Sequence, residues 1–301
     1  MTVHHRPPAP SVLFAAPEAA ALTATALEQD FAQQLLVLGD HQVAIRRCGQ
    51  APAPVIVLLH GIGSGAASWL ATARQLAGVA QVIAWDAPGY GESSALSASQ
   101  PRAEDYAARL LQMLDALQIT RCVLVGHSLG AMTALCLARQ HPERVSRLLL
   151  ISPAQGYGAA DRQVQREEVR SRRLASLAVK GVAGIAADRS AAMLSSAASP
   201  EQREWVRWNM ARLNPTGYRQ AIELLCGDDL LRHGQPAMPV SVLCGDADGI
   251  TRPDACLHIA EALDASFALI AGAGHASPTE QPERVAGQLA AAIALSQGNL
   301  S

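Results

Sequence analysis

The spacing of apolar and polar positions changes character along the chain. Two short apolar runs, Leu35-Leu36-Val37-Leu38 and Val43-Ala44-Ile45, flank Gly39-Asp40-His41, which predicts an antiparallel hairpin at a sheet edge. A different rhythm follows. Val55-Ile56-Val57-Leu58-Leu59, Val82-Ile83-Ala84-Trp85 and Cys122-Val123-Leu124-Val125 are almost wholly apolar and are separated by helix-length segments, as expected of strands covered on both faces. Helical patterns at 103–117 and 129–140 complete a β-α-β-α-β order, which predicts a parallel, doubly wound sheet. Further strands are expected at 145–151, 240–244 and 267–270. Between Ile151 and Val240 the strand rhythm stops, and that interval reads as several helices inserted into the sheet. Its charged stretch at 162–173 is expected to be a solvated helix face. Met193, Trp205, Trp208, Met210 and Tyr218 are expected mainly to pack inside the inserted unit, the alternative being that they line an apolar cavity. Ahead of the hairpin, an Ala-rich helix over 17–31 is expected to pack on the outside.

Composition narrows the function. Half of the 301 residues are hydrophobic, enough for a large core. With 24 Lys plus Arg, 26 Asp plus Glu and a net charge of -2, the chain lacks the basic excess that binding a phosphate backbone requires, so nucleic acid is not an expected partner. The six cysteines include no CxxC and lie near no histidine at metal-ligand spacing, so neither a zinc site nor a redox pair is expected. The apolar stretch 12–22 is interrupted by Pro17 and Glu18 and makes a poor signal peptide, and no membrane-spanning segment is read. A cytoplasmic protein with reduced thiols is expected.

The candidate chemistry begins at Gly126-His127-Ser128-Leu129-Gly130. This G-x-S-x-G pattern lies between an apolar strand and a helical pattern, where a sharp turn exposes a serine. His60-Gly61-Ile62-Gly63 follows another strand, and the backbone N–H groups of Ile62 and Leu129 could together receive an oxyanion. A serine hydroxyl needs a histidine to take its proton and a carboxylate to orient that histidine. Of nine histidines, His275 follows the last strand on the loop Ala271-Gly272-Ala273-Gly274, at a carboxyl edge where α/β sheets gather ligands. Cys244-Gly245-Asp246-Ala247-Asp248 offers two carboxylates; Asp248 lies further out on the loop and is preferred to Asp246.

Taken with Asp86-Ala87-Pro88-Gly89-Tyr90-Gly91-Glu92-Ser93 and with Glu280-Gln281-Pro282-Glu283 after Gly274-His275, these segments resemble the α/β-hydrolase superfamily over residues 35 to 296. The resemblance implies an α/β-hydrolase fold with an antiparallel amino-terminal edge. It implies a core at 35–152 and 240–301, a helical cap at 153–239 and an extension at 1–34. It also implies that Gly245-x-x-Asp248, with Pro253 beyond, is the acid loop. Haloalkane dehalogenases and epoxide hydrolases of this fold carry aspartate where this chain has Ser128, so acyl transfer to serine is implied. Carboxylesterases, enol-lactonases and meta-cleavage-product hydrolases are similar, all of them capped and free of cofactor or metal. The last group commonly has Asn before the serine, where this chain has His127. The expected function is hydrolysis of a small ester or lactone through an acyl-enzyme on Ser128. The alternatives are hydrolysis of a carbon–carbon bond in a meta-cleavage-type diketone, or ligand binding without catalysis.

Overall fold

The structure is a computed structural model that describes residues 22–297. The hairpin consists of β1 (Gln33–Leu38) and β2 (His41–Cys48), joined by a two-residue turn in which Gly39 takes φ 68°. Such tight turns need a positive φ at the first position, which glycine adopts without steric cost. The remaining strands are β3 (Val55–Leu59), β4 (Gln81–Trp85), β5 (Cys122–His127), β6 (Val145–Ile151), β7 (Val240–Gly245) and β8 (Ser266–Ile270). They form one eight-stranded sheet in the order β1-β2-β4-β3-β5-β6-β7-β8. β2 runs antiparallel to both of its neighbours, and every pairing from β4 to β8 is parallel. This is the α/β-hydrolase architecture expected from the sequence.

Helices cover both faces. They are α1 (Ala24–Asp30), α2 (Leu70–Leu76), α3 (Ala103–Ala116), α4 (Gly130–Gln140), α5 (Gln163–Arg189), α6 (Pro200–Ala211), α7 (Pro215–Gly227), α8 (Pro253–Ala262), α9 (Ser277–Glu280) and α10 (Pro282–Gln297). Period-2 alternation in the central strands feeds two cores at once. Val57 and Leu59 pack with Leu110, Leu135 and Ile259 on one face, while Ile56 and Leu58 pack with Leu70, Leu76 and Leu289 on the other. The apolar stripe of α3, Ala103, Tyr106, Ala107, Leu110, Met113 and Leu114, is buried at helical spacing. The amino-terminal helix expected at 17–31 is observed as α1, with Leu27 and Phe31 fully buried against the sheet; residues 17–21 lie outside the described residues.

Helices α5, α6 and α7 occupy the interval between β6 and β7. α6 starts at a Ser199 cap that exchanges hydrogen bonds with Gln202, and α7 at an Asn214 cap, each followed by proline at the first helical position. α5 is broken at Gly181 (φ 61°, ψ -174°), so it reaches its neighbours as two segments of different direction. No helix among the described residues is long and apolar enough to cross a membrane.

Candidate functional site

Strand β5 runs directly into Ser128, which takes φ 52°, a left-handed conformation that a serine holds only when its surroundings impose it. Those surroundings are visible. The Ser128 N–H donates to the Ile151 carbonyl at the end of β6 (2.9 Å), and its own carbonyl accepts from the Ala131 and Ala154 amides (3.1 Å each). A Cβ on Gly126 would stand 2.6 Å from Ala131 Cα, and one on Gly130 would stand 2.7 Å from the Leu59 and His60 carbonyl oxygens. The two glycines of the motif are therefore required by the close approach of α4 to the ends of β3 and β5.

Ser128, buried to 5% exposure, faces a cavity of about 240 Å³ whose wall also includes His275, Ile62 and Leu129. The Ile62 and Leu129 amides donate to no other group of the described residues, whereas the Ile62 carbonyl is fixed by the Tyr90 hydroxyl (2.8 Å). His275 Nδ1 lies 2.9 Å from Asp248 Oδ2, and both side chains are inaccessible, at 1% and 3% exposure. Asp248 Oδ1 accepts from the Ile250 and Thr251 amides (2.8 and 3.0 Å). Burial works to raise the Asp248 pKa, but the hydrogen bond and positive charge offered by His275, together with the loop amide, outweigh it and bring the carboxyl down to about 2. An ionised Asp248 holds His275 with the proton on Nδ1, leaving Nε2 to accept. Asp246 is exposed and accepts instead from the Gly272 and Ala273 amides (2.9 and 3.3 Å), a loop-bracing role.

Two other histidines border the site and are held elsewhere. His60 donates from Nδ1 to the Gly61 carbonyl (2.8 Å) and accepts the Ala87 amide on Nε2 (3.0 Å). His127 Nε2 donates to the His275 carbonyl (2.8 Å), and burial, followed by the neighbouring charge of His275, pushes its pKa down to about 3. Both stay neutral near pH 7.

Several contributors were given no role by the sequence. The Thr251 hydroxyl sits 3.0 Å from the Ser152 carbonyl, 3.0 Å from Asp248 Oδ2 and 3.1 Å from His275 Nδ1, buttressing that pair. Buried Glu280 accepts the Gly274 amide on one oxygen and the Ser195 amide on the other (2.8 Å each), tying the His275 loop to the helical interval. The charged stretch 162–173 is a solvated face over much of its length, with Glu167, Glu168 and Arg172 exposed, but departs from that expectation at two positions. Arg170 pairs with Glu223 and Arg172 with Glu168, but Arg162 and Arg173 line the cavity, joined there by Arg189. Met193, Met210 and Tyr218 also line it. Trp205 is buried in the core and stacks on Trp208 (4.8 Å between centroids, 10° between planes), so these two follow the packing reading.

Among the described residues one group could hold a metal, Glu104, Cys136 and His233, whose ligand atoms lie within 4.8 Å of one another. Its chemistry suits a cation poorly. Both Glu104 oxygens already accept from Arg232 (2.7 Å), and burial, aided by nearby carboxylates, pushes the Cys136 thiol up to about 12. None of the three lines the cavity.

Comparison with known proteins bears on the fold and the family. The chain is 35% identical over 127 residues to a 2-hydroxy-6-oxo-6-phenylhexa-2,4-dienoate hydrolase of Burkholderia cepacia, an alignment covering 41% of this chain and 43% of that protein. It is 38% identical over 105 residues to a 2-hydroxy-6-oxononadienedioate/2-hydroxy-6-oxononatrienedioate hydrolase of Paraburkholderia phymatum, covering 34% and 36%. These alignments thus span less than half of the curated relatives. The fold match is far more extensive. The enol-lactonase from Burkholderia xenovorans superposes with a TM-score of 0.78 at 22% identity, over 87% of this chain and 100% of that one. A thermophilic esterase from Thermogutta terrifontis gives 0.76 at 24% identity, over 88% and 98%. The alpha/beta hydrolase fold family matches residues 54–282, which includes Ser128, Asp248 and His275, and the chain belongs to that family.

Proposed function

We propose that the protein is a serine hydrolase that cleaves a carboxylic ester or lactone through an acyl-enzyme on Ser128. The observation that carries the reading is the buried Asp248–His275 pair at 2.9 Å, whose His275 lines the same cavity as a serine in a left-handed turn. A buried carboxylate and imidazole cost desolvation, and their arrangement beside an activatable hydroxyl suits nucleophilic catalysis. His275 Nε2 takes the Ser128 proton as Oγ attacks the carbonyl carbon. The tetrahedral oxygen gathers negative charge and is received by the Ile62 and Leu129 amides, each such donor contributing about 3 kcal/mol. His275 then gives the proton to the departing alkoxide, which leaves as the alcohol, or as the free hydroxyl end of an opened lactone. Water, deprotonated by His275, attacks the acyl-enzyme and releases the acid with Ser128 restored. Every proton and electron pair is supplied by Ser128, His275, water and substrate, so no cofactor or metal is invoked. On this reading residues 153–239 form a cap over the cavity. Six free cysteines, none paired, support a reducing, cytoplasmic setting.

The test is Ser128→Ala with methyl hexanoate. Turnover is expected to fall by about three or more orders of magnitude, and undiminished turnover would refute the assignment. A second reading, hydrolysis of a carbon–carbon bond, is favoured by the names of the two curated relatives. Catalysis confined to a coloured ring-cleavage diketone, with no ester turned over, would establish it in place of the first. Labelling of Ser128 by a fluorophosphonate is expected in either case and would be missing from a protein that only binds its ligand.

A further inference from the structure

Among the described residues no acidic side chain lines the cavity over Ser128, yet Arg162, Arg173 and Arg189 do. Arg162 is engaged by neutral groups, donating to the Gly156 carbonyl (3.0 Å) and to Gln155 Oε1 (2.7 Å). Among the described residues Arg173 donates only to the Tyr218 hydroxyl (3.1 Å). Among the described residues Arg189 donates to no protein acceptor. Elsewhere on α5, Arg170 pairs with Glu223, Arg172 with Glu168 and Lys180 with Asp188, and none of these three cations lines the cavity.

Two half-buried guanidinium groups without a carboxylate repel one another and have lost part of their hydration, which is unfavourable unless an anion joins them. Burial, and next the charge of Arg173, depresses the Arg189 pKa below its ordinary value, so the two groups are close enough to sense each other. The break at Gly181 is what allows this. Arg173 precedes it and Arg189 follows it, and the change of direction returns both segments to one cavity. A guanidinium presents a planar fork of donors that matches a carboxylate. The rest of the wall is largely apolar, with Ile185, Met193, Met210, Leu225 and Ile259, and so suits a short carbon skeleton carrying that single charge.

We propose that the substrate carries a free carboxylate, bound by Arg189 and Arg173, while its scissile bond lies over Ser128. The proposal rests on the hydrolase reading for the position of the reacting bond. It defines the substrate as an ester or lactone of a short dicarboxylic or oxo-carboxylic acid, of which one acid group stays ionised.

The experiment has a binding arm and a kinetic arm. Calorimetric titration of Ser128→Ala protein with adipate is expected to give binding that adipamide, the uncharged counterpart, does not. Adding Arg189→Gln should weaken adipate binding by about tenfold or more, and Arg189→Lys should recover part of it. In the kinetic arm, kcat/KM for monomethyl adipate should exceed that for methyl hexanoate, with the ratio falling about tenfold in Arg189→Gln. Adipate binding no tighter than adipamide binding, or unchanged by Arg189→Gln, would overturn the carboxylate site. The two readings fail separately. Ser128-dependent turnover of methyl hexanoate without Arg189-dependent adipate binding removes the carboxylate site alone. Arg189-dependent adipate binding with no ester turned over leaves that site standing and removes the hydrolase reading.

Discussion

Asp248→Asn isolates the step on which the proposed mechanism depends. The amide is nearly isosteric with the carboxylate, and its carbonyl can still accept the Ile250 and Thr251 amides that now hold Oδ1. The change falls on Oδ2, which accepts from His275 Nδ1 at 2.9 Å. With an NH2 group in that place, donor would face donor, and His275 relieves the clash by moving its proton to Nε2. An imidazole protonated at Nε2 cannot accept the Ser128 proton. The expected cost is the whole contribution of a correctly oriented base, about 10⁴-fold in kcat or roughly 5.5 kcal/mol of barrier. Asp246→Asn is the matched control. Its carbonyl still accepts the Gly272 and Ala273 amides, and it does not touch His275, so it should cost less than about tenfold. Steady-state turnover of methyl hexanoate by the two variants, each checked for folding by circular dichroism, gives the comparison. A loss below about tenfold for Asp248→Asn, or equal losses in both variants, would refute the orienting role.

His127 and Glu280 give two further expectations. Because the folded-state pKa of His127 is about 3 against about 6.5 in an unfolded chain, the unfolded state takes up the proton first as pH falls. Stability present above about pH 6.5 is therefore lost progressively on the way down to about pH 3. Between pH 7 and pH 4 this amounts to about 3 kcal/mol, so urea unfolding of His127→Asn should lose that much less than wild type over the same interval; an identical pH dependence would exclude His127 as its source. Glu280→Gln replaces one of two acceptors with a donor facing an amide N–H, so the link between Gly274 and Ser195 is broken at one end. A loss of about 1–3 kcal/mol in unfolding free energy is expected, with faster amide exchange at Ser195, and no change in either would show that the clamp carries no stability.

Legibility in the sequence followed how local each cause is. Strands β3, β4 and β5 are continuous apolar runs because both faces are buried, and that condition is written into consecutive residues. Ser128 and His275 stand in short glycine-bearing loops whose shape is required by close backbone contacts, so neighbouring residues reveal them. The choice of Asp248 over Asp246 is a question of which side of one loop faces His275. The hydrogen bonds settle that geometry, while the spacing alone left both open. The arginines were illegible for a different reason. A charged run on a helix looks the same whether water or a cavity lies beyond it, and only the break at Gly181 brings Arg173 and Arg189 to one wall. Thr251 and Glu280 act across the chain, Glu280 reaching Ser195 85 residues away, and no local pattern encodes such a partner.

The division of labour in the cavity follows from the same distinction. The sheet side contributes Ser128, His275, Ile62 and Leu129 to the cavity wall, the groups that on the proposed mechanism act on the reacting carbonyl. Much of what would contact the remainder of a substrate, from Arg173 and Arg189 to Met193, Met210 and Tyr218, comes from the helices between β6 and β7. The two halves are mechanically joined at the His275 loop. Glu280 bridges Gly274 to Ser195, the Ala276 amide donates to the Met193 carbonyl (2.8 Å), and Gln202 Nε2 donates to the Glu280 carbonyl (3.1 Å). A shift of the helices therefore pulls on the residues flanking His275 as well as on the walls of the cavity. On the proposed mechanism, substitutions that loosen this junction should reach kcat through His275 even when they lie far from the reacting bond, whereas substitutions of the apolar wall alone should act mainly on KM.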